Sequence, residues 1–108
     1  MSNKTTLEDK IEDYLVAETL RRGGQALKLR PPVGRGFPDR TLLLPCMYTA
    51  FVETKRPVGG RVSAQQEKEA RAIRRTGHRY FTLTTVGEVD MFFRSYDDWV
   101  VDSHSYGL

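Results

Sequence analysis

The chain has 108 residues and a formal net charge of +3; 39% of its residues are apolar, with five Phe, five Tyr and one Trp. That is the length of one domain, and its core-forming content argues against a disordered chain. No apolar run approaches the ~20 residues of a membrane span, no apolar signal region opens the chain, and one cysteine, Cys46, leaves no internal disulfide and makes a zinc cluster a poor reading, so a reducing cytoplasm fits best.

Residues 7–22 repeat apolar positions at Leu7, Ile11, Tyr14, Leu15 and Leu20, which predicts a first helix closed by Gly23-Gly24. Glu12 sits at the edge of its apolar stripe, where it is either a partly exposed acid or a functional one. Residues 26–30 alternate apolar and basic, predicting a half-buried strand with Lys28 and Arg30 on its outer face. These two either sit in solvent or form a rim that contacts phosphate. Pro31-Pro32 ends that strand. A Gly/Pro loop then runs to Asp39, without the Gly-Lys-Ser/Thr of a nucleotide-cradling loop.

Residues 41–44 and 49–55 read as two strands joined by a turn at 45–48, most simply a hairpin. In a hairpin Asp39 stands beside the far end of the second strand. Within that strand Phe51, Glu53 and Lys55 share one face, and Val52 and Thr54 point the other way. Residues 56–62 are a Gly/Pro loop. Ser63 and Gln66 have capping-box spacing at the start of a helix that runs to about Thr76. Gln66 either caps that helix or turns its amide into the site. A strand over 78–85 and a short helix through Met91, Phe92 and Phe93 follow. From Ser95 the pattern weakens, and Tyr96, Trp99, Val100 and Val101 pack either on the core or on a second subunit. The expected architecture is an α/β layer sandwich with a mixed sheet over residues 1–108, with 1–6 and 103–108 as loose ends.

Arginines crowd residues 30–79 and acids gather toward the two ends, so the basic middle is where an anionic polymer would dock. Phosphodiester hydrolysis needs an activated water, an offset phosphate charge and a stabilised leaving oxygen, and a divalent metal helps all three. Asp39 and Glu53 could supply hard oxygen ligands, with the Thr54 carbonyl as a third; Glu12 could join through water or take a second ion. Lys55 could contact the phosphate and orient or deprotonate the water. Glu-x-Lys alone is a weak signal, since an acid and an amine on one strand face are usually solvated.

In combination, Ile11-Glu12-Asp13-Tyr14-Leu15, Gly23-Gly24, Lys28, Gly36-Phe37-Pro38-Asp39-Arg40, Phe51-Val52-Glu53-Thr54-Lys55-Arg56-Pro57, Gly59-Gly60-Arg61, Ser63-Ala64-Gln65-Gln66 and Gly77 resemble the PD-(D/E)XK nuclease superfamily. Within it they resemble the VRR-NUC family, in particular its standalone viral and bacterial members. The resemblance implies a restriction-endonuclease-like αβββαβ core with a mixed central sheet. Glu12 would be the helix acid, Asp39 and Glu53 the metal pair, Lys55 the catalytic lysine and Gln66 the helix glutamine. It also implies Mg²⁺ or Mn²⁺, a homodimer, branched DNA such as Holliday junctions, and the cytoplasm of a bacterium or phage-infected host. Phe37, in place of a small aliphatic residue, and Thr54, in place of an apolar one, depart from the family pattern. The competing reading is a non-catalytic nucleic-acid-binding module using Lys28, Arg30, Arg35, Arg40, Arg56 and Arg61. A third is an interaction subunit that docks through its aromatic tail.

Overall fold

The computed structural model describes residues 6–32 and 36–105. Arg35, expected on nucleic acid, lies outside them. In chain order the elements are α1 (Leu7–Arg21), β1 (Gln25–Leu27), β2 (Arg40–Leu44), β3 (Tyr48–Thr54), α2 (Ala64–Arg75), β4 (Arg79–Leu83) and α3 (Val86–Ser105). The strands lie side by side in the order β1-β2-β3-β4. The first three are antiparallel neighbours and β4 runs parallel to β3. A parallel pair cannot be closed by a hairpin, and α2 is the crossover that makes it possible. The sheet is mixed, as the sequence predicts.

Strand alternation divides the core in two. Ala50 and Val52 of β3, with Leu42 and Leu44 of β2 and Leu83 of β4, pack under Ile11 and Leu15 of α1 and Val89, Phe92, Phe93 and Tyr96 of α3. On the other face, Phe51 meets Tyr80 of β4 and Ala70 and Ile73 of α2. Small Ala70 lets α2 lie close to the sheet. Polar contacts join the two helices of the larger layer: Tyr14 donates its hydroxyl to Asp90 at 2.6 Å. Arg22 bonds both Asp97 oxygens at 3.1 Å and stacks its guanidinium 4.3 Å above the Phe93 ring.

Two expectations need correction. The first strand ends at Leu27, so Lys28 and Arg30 lie beyond β1, exposed, rather than on its outer face. The last helix does not stop after Phe93 but runs 20 residues to Ser105. Its inner residues are Val89, Phe92, Phe93, Tyr96, Val100 and Ser103, at steps of three and four. Ser95, Asp97 and Asp98 fall on the exposed side between these positions and mask the period. Where the two ends are described, Thr6 caps α1 by accepting the Asp9 N–H, and residues 103–105 belong to α3.

The aromatic tail packs on the core. Tyr96 is 3% exposed and donates to the Pro45 carbonyl at 2.9 Å. Its ring and that of Trp99 stand edge-on to Tyr48, at 4.9 and 5.2 Å between centroids. These residues have an intramolecular place and do not need a second subunit to cover them.

Phe93 is 1% exposed at the centre of this layer. Its truncation to Ala should cost about 3–5 kcal/mol, as cavity formation at a large buried ring does. Urea unfolding followed by circular dichroism should show the midpoint fall with the slope unchanged.

Candidate active site

The segment from Gly36 to Asp39 is held against the start of α2. Gly36 has φ +84°, and a Cβ there would lie 2.5 Å from the Gln65 carbonyl carbon and 2.6 Å from the Gln66 nitrogen. Only glycine allows this approach. Phe37 sets its ring edge-on to Phe51 at 5.9 Å, which gives the unusual aromatic before Pro38 a packing role. The chain then enters β2, where Arg40 is the register partner of Val52. Asp39 therefore stands beside Glu53. Its Oδ2 accepts both the backbone N–H of Thr54 at 2.9 Å and the Thr54 hydroxyl at 3.0 Å, a two-point clamp on the carboxylate.

Glu53 is the most unusual group in the molecule. It is 1% exposed, on the Phe51 face of β3. Oε2 accepts the side-chain N–H of Gln66 at 2.8 Å and lies 3.4 Å from the Lys55 ammonium. Oε1 is buried without any hydrogen-bond partner. Burial first, and then the neighbouring Asp39 carboxylate, push the carboxyl up to a pKa of about 8 against the opposing pull of Lys55. Low-dielectric surroundings and a like charge act in the same direction here.

Both readings of Gln66 hold at once. Its Oε1 accepts the Ser63 N–H at 2.9 Å while its own backbone N–H donates to the Ser63 hydroxyl at 3.1 Å, completing the capping box. The amide NH₂ of the same side chain reaches Glu53. An amide carries a donor and an acceptor at opposite ends, so one residue can fix the helix start and the acid together.

Glu12 does not join this group. Its Oε2 lies 2.6 Å from the Arg40 Nε and 4.0 Å from the Lys28 ammonium, and Arg40 also donates to the Ala26 carbonyl at 3.1 Å. No cluster of three acid, His or Cys side chains able to share an ion occurs among the described residues. The expectation that Glu12, Asp39 and Glu53 converge on one ion is thus not met. Arg40 shares its sheet face with Val52, toward α1, whereas Glu53 occupies the opposite face. Arg40 draws the helix acid to its own side, and in doing so is itself withdrawn from the solvent-facing role expected of it on DNA.

Lys28 and Arg30 line a cleft of about 340 Å³ with Phe37, Pro38 and Asp39. Arg56 and Arg61 are exposed on the β3–α2 loop. Periodicity does not disclose the Thr54 clamp, because Thr54 alternates away from Glu53 and stands where the family pattern has an apolar residue. It could have been suspected from its hydroxyl, placed next to a strand end that carries an acid.

No family model matches the chain. A curated relative, "Putative nuclease p44" of Acyrthosiphon pisum secondary endosymbiont phage 1, is 40% identical over 76 residues, which span 70% of this chain and 81% of the relative. A solved structure described as a VRR_NUC domain superposes with a TM-score of 0.79 at 26% identity, covering 85% of this chain and 99% of that one.

The raised Glu53 pKa has a consequence for stability. Folding holds a proton on Glu53 that the unfolded chain releases near the ordinary value of 4.5. A folded pKa above the unfolded one contributes stability that is complete below the unfolded value and is lost as pH rises through about 8. Glu53→Gln mimics the protonated form. Without added metal it should be more stable than wild type at pH 8, by up to about 4 kcal/mol, with the difference shrinking toward pH 5. Urea midpoints measured across that range check the direction.

Proposed function

The chain belongs to the VRR-NUC family of nucleases, and from that premise we propose that it is a Mg²⁺- or Mn²⁺-dependent DNA endonuclease acting as a homodimer on branched DNA, Holliday junctions among them. The observation that carries this reading is Glu53: a carboxylate buried beside a second carboxylate, with one oxygen tethered and the other unpartnered. A purely structural acid at that depth would have both oxygens satisfied or would be replaced by an apolar residue. A module that only binds DNA has no use for it.

The donor set suits a hard cation. Asp39 and Glu53 offer two carboxylates, and Mg²⁺ takes only one or two, keeping waters and substrate oxygens for its other positions. The Thr54 carbonyl is the third oxygen in this proposal. When bound, such an ion offsets phosphate charge and lowers the pKa of a coordinated water.

The other roles fall to the chain itself. Lys55, 3.4 Å from Glu53 and with its side chain 16% exposed, would direct its ammonium at a non-bridging phosphate oxygen or the attacking water. Gln66 would hold Glu53 in one rotamer and leave the free oxygen for the site. The Thr54 clamp would do the same for Asp39. Positioned in advance, these groups need little rearrangement as charge develops. Lys28 and Arg30 would guide the strand along the cleft that contains Asp39. Glu12 would act at a distance, keeping Arg40, and hence the start of β2, in place.

A four-way junction is two-fold symmetric and is resolved by two cuts. A two-fold dimer supplies two identical sites.

Asp39→Asn and Lys55→Ala should each reduce cleavage of a labelled four-way junction by at least about a hundredfold in Mg²⁺ or Mn²⁺ while leaving the melting temperature within a few degrees. Chelation of the metal should abolish cleavage by wild type. Wild type that leaves junctions, flaps and duplex uncut in both metals, or cuts equally in chelator, overturns the proposal.

A further inference from the structure

A second cleft, of about 250 Å³, opens on the other side of Glu53, between α2 and the edge strand β4. Its lining includes Val62, Arg71, Arg74, Tyr80 and Thr82. Thr82 is the register partner of Glu53, one strand over, so the cleft begins about 5 Å from the backbone that carries the acid. Asp39 flanks Glu53 on the β2 side, where it borders the cleft of Lys28 and Arg30. The two clefts thus lie on either side of the carboxylate pair.

The lining of this second cleft carries net positive charge, two guanidiniums against one carboxylate. Arg74 is fixed before any ligand arrives: it donates to the Tyr80 carbonyl at 3.2 Å, and its guanidinium lies 5.0 Å over the Tyr80 ring. Arg71, one turn of helix away from Glu67, is exposed and makes no ion pair within the described residues. Tyr80, 5% exposed on the cleft wall, has a hydroxyl without a hydrogen-bond partner. The opposing charge on the same wall is Glu67, which is exposed, and two guanidiniums outweigh it.

We propose that the α2–β4 cleft binds a backbone phosphate of the DNA strand next to the one that is cut, with Arg71 as its principal contact and Arg74 as a preset neighbour. The strand then crosses the ends of β2, β3 and β4, with Lys28 and Arg30 holding it on one side of the site and Arg71 on the other. Phosphate contacts of this kind fix register and carry no sequence information. The inference rests on the nuclease reading and assigns that site its second flank.

The test measures binding of a fluorescent four-way junction by anisotropy from about 50 to 300 mM salt, in a Lys55→Ala background so that DNA stays intact, and cleavage in the active protein. Arg71→Ala should raise Kd about tenfold, and Arg71→Glu further. The plot of log Kd against log salt should become shallower by about one phosphate contact. Cleavage at saturating DNA should stay within about twofold of wild type, and the melting temperature should not move. Unchanged Kd and salt slope in both variants, with wild type active, overturn the inference and leave the nuclease reading standing. Wild type that neither binds nor cuts DNA overturns both. A loss confined to kcat, with Kd unchanged, also overturns it, since Arg71 would then act on the reaction rather than on strand binding.

Discussion

The hydrogen bond from Gln66 to Glu53 is the interaction on which the rest of the site depends. It joins the first turn of α2 to the end of β3, the two pieces that must stay in register for the carboxylate to keep its place. The tether gains strength from its dry setting, where a hydrogen bond is electrostatically stronger than in water. Burying an acid is costly, and the fold accepts this cost only where Lys55 and the amide stand next to it. The remaining oxygen is left without a partner. Such a group is rare in a folded interior, and it sits at the point where the family resemblance expects a ligand.

Everything else in the molecule positions that corner. The larger layer, α1 and α3 over the sheet, supplies most of the apolar burial and turns Val52 inward. Alternation then obliges Glu53 to face the smaller layer, where α2 covers it. Gly36 allows the preceding loop to touch the first turn of α2, and the Thr54 clamp fixes Asp39 at the end of its reach. The Glu12–Arg40 pair lies on the opposite face and steadies β2 from behind. The carboxylates are thus held by packing from both sides of one sheet rather than by one loop.

Much of this was legible in the residues. Period-two alternation in 49–55 put Glu53 and Lys55 on one face, and a hairpin brought Asp39 beside them. Ser63 and Gln66 announced the helix start. What escaped the sequence depended on contacts between distant segments. Arg40 follows Asp39 directly, and no local pattern reveals that it would capture Glu12 from α1. The C-terminal helix was cut short because its polar residues, Asp97 and Asp98, interrupt the linear run although they lie off its buried stripe. Gln66 looked like a choice between two roles because spacing describes one partner at a time, whereas the amide has two ends.

The central claim is that Glu53 is an acid held out of its ordinary range by burial and by Asp39, at the place where the proposed function puts a divalent ion. Carbon-13 nuclear magnetic resonance of the Glu53 side-chain carboxyl, titrated over pH with and without Mg²⁺, measures this directly. The account predicts a midpoint near 8 in the metal-free protein and a marked fall when Mg²⁺ is added. A carboxyl that titrates at the ordinary glutamate value and does not respond to the ion would contradict it.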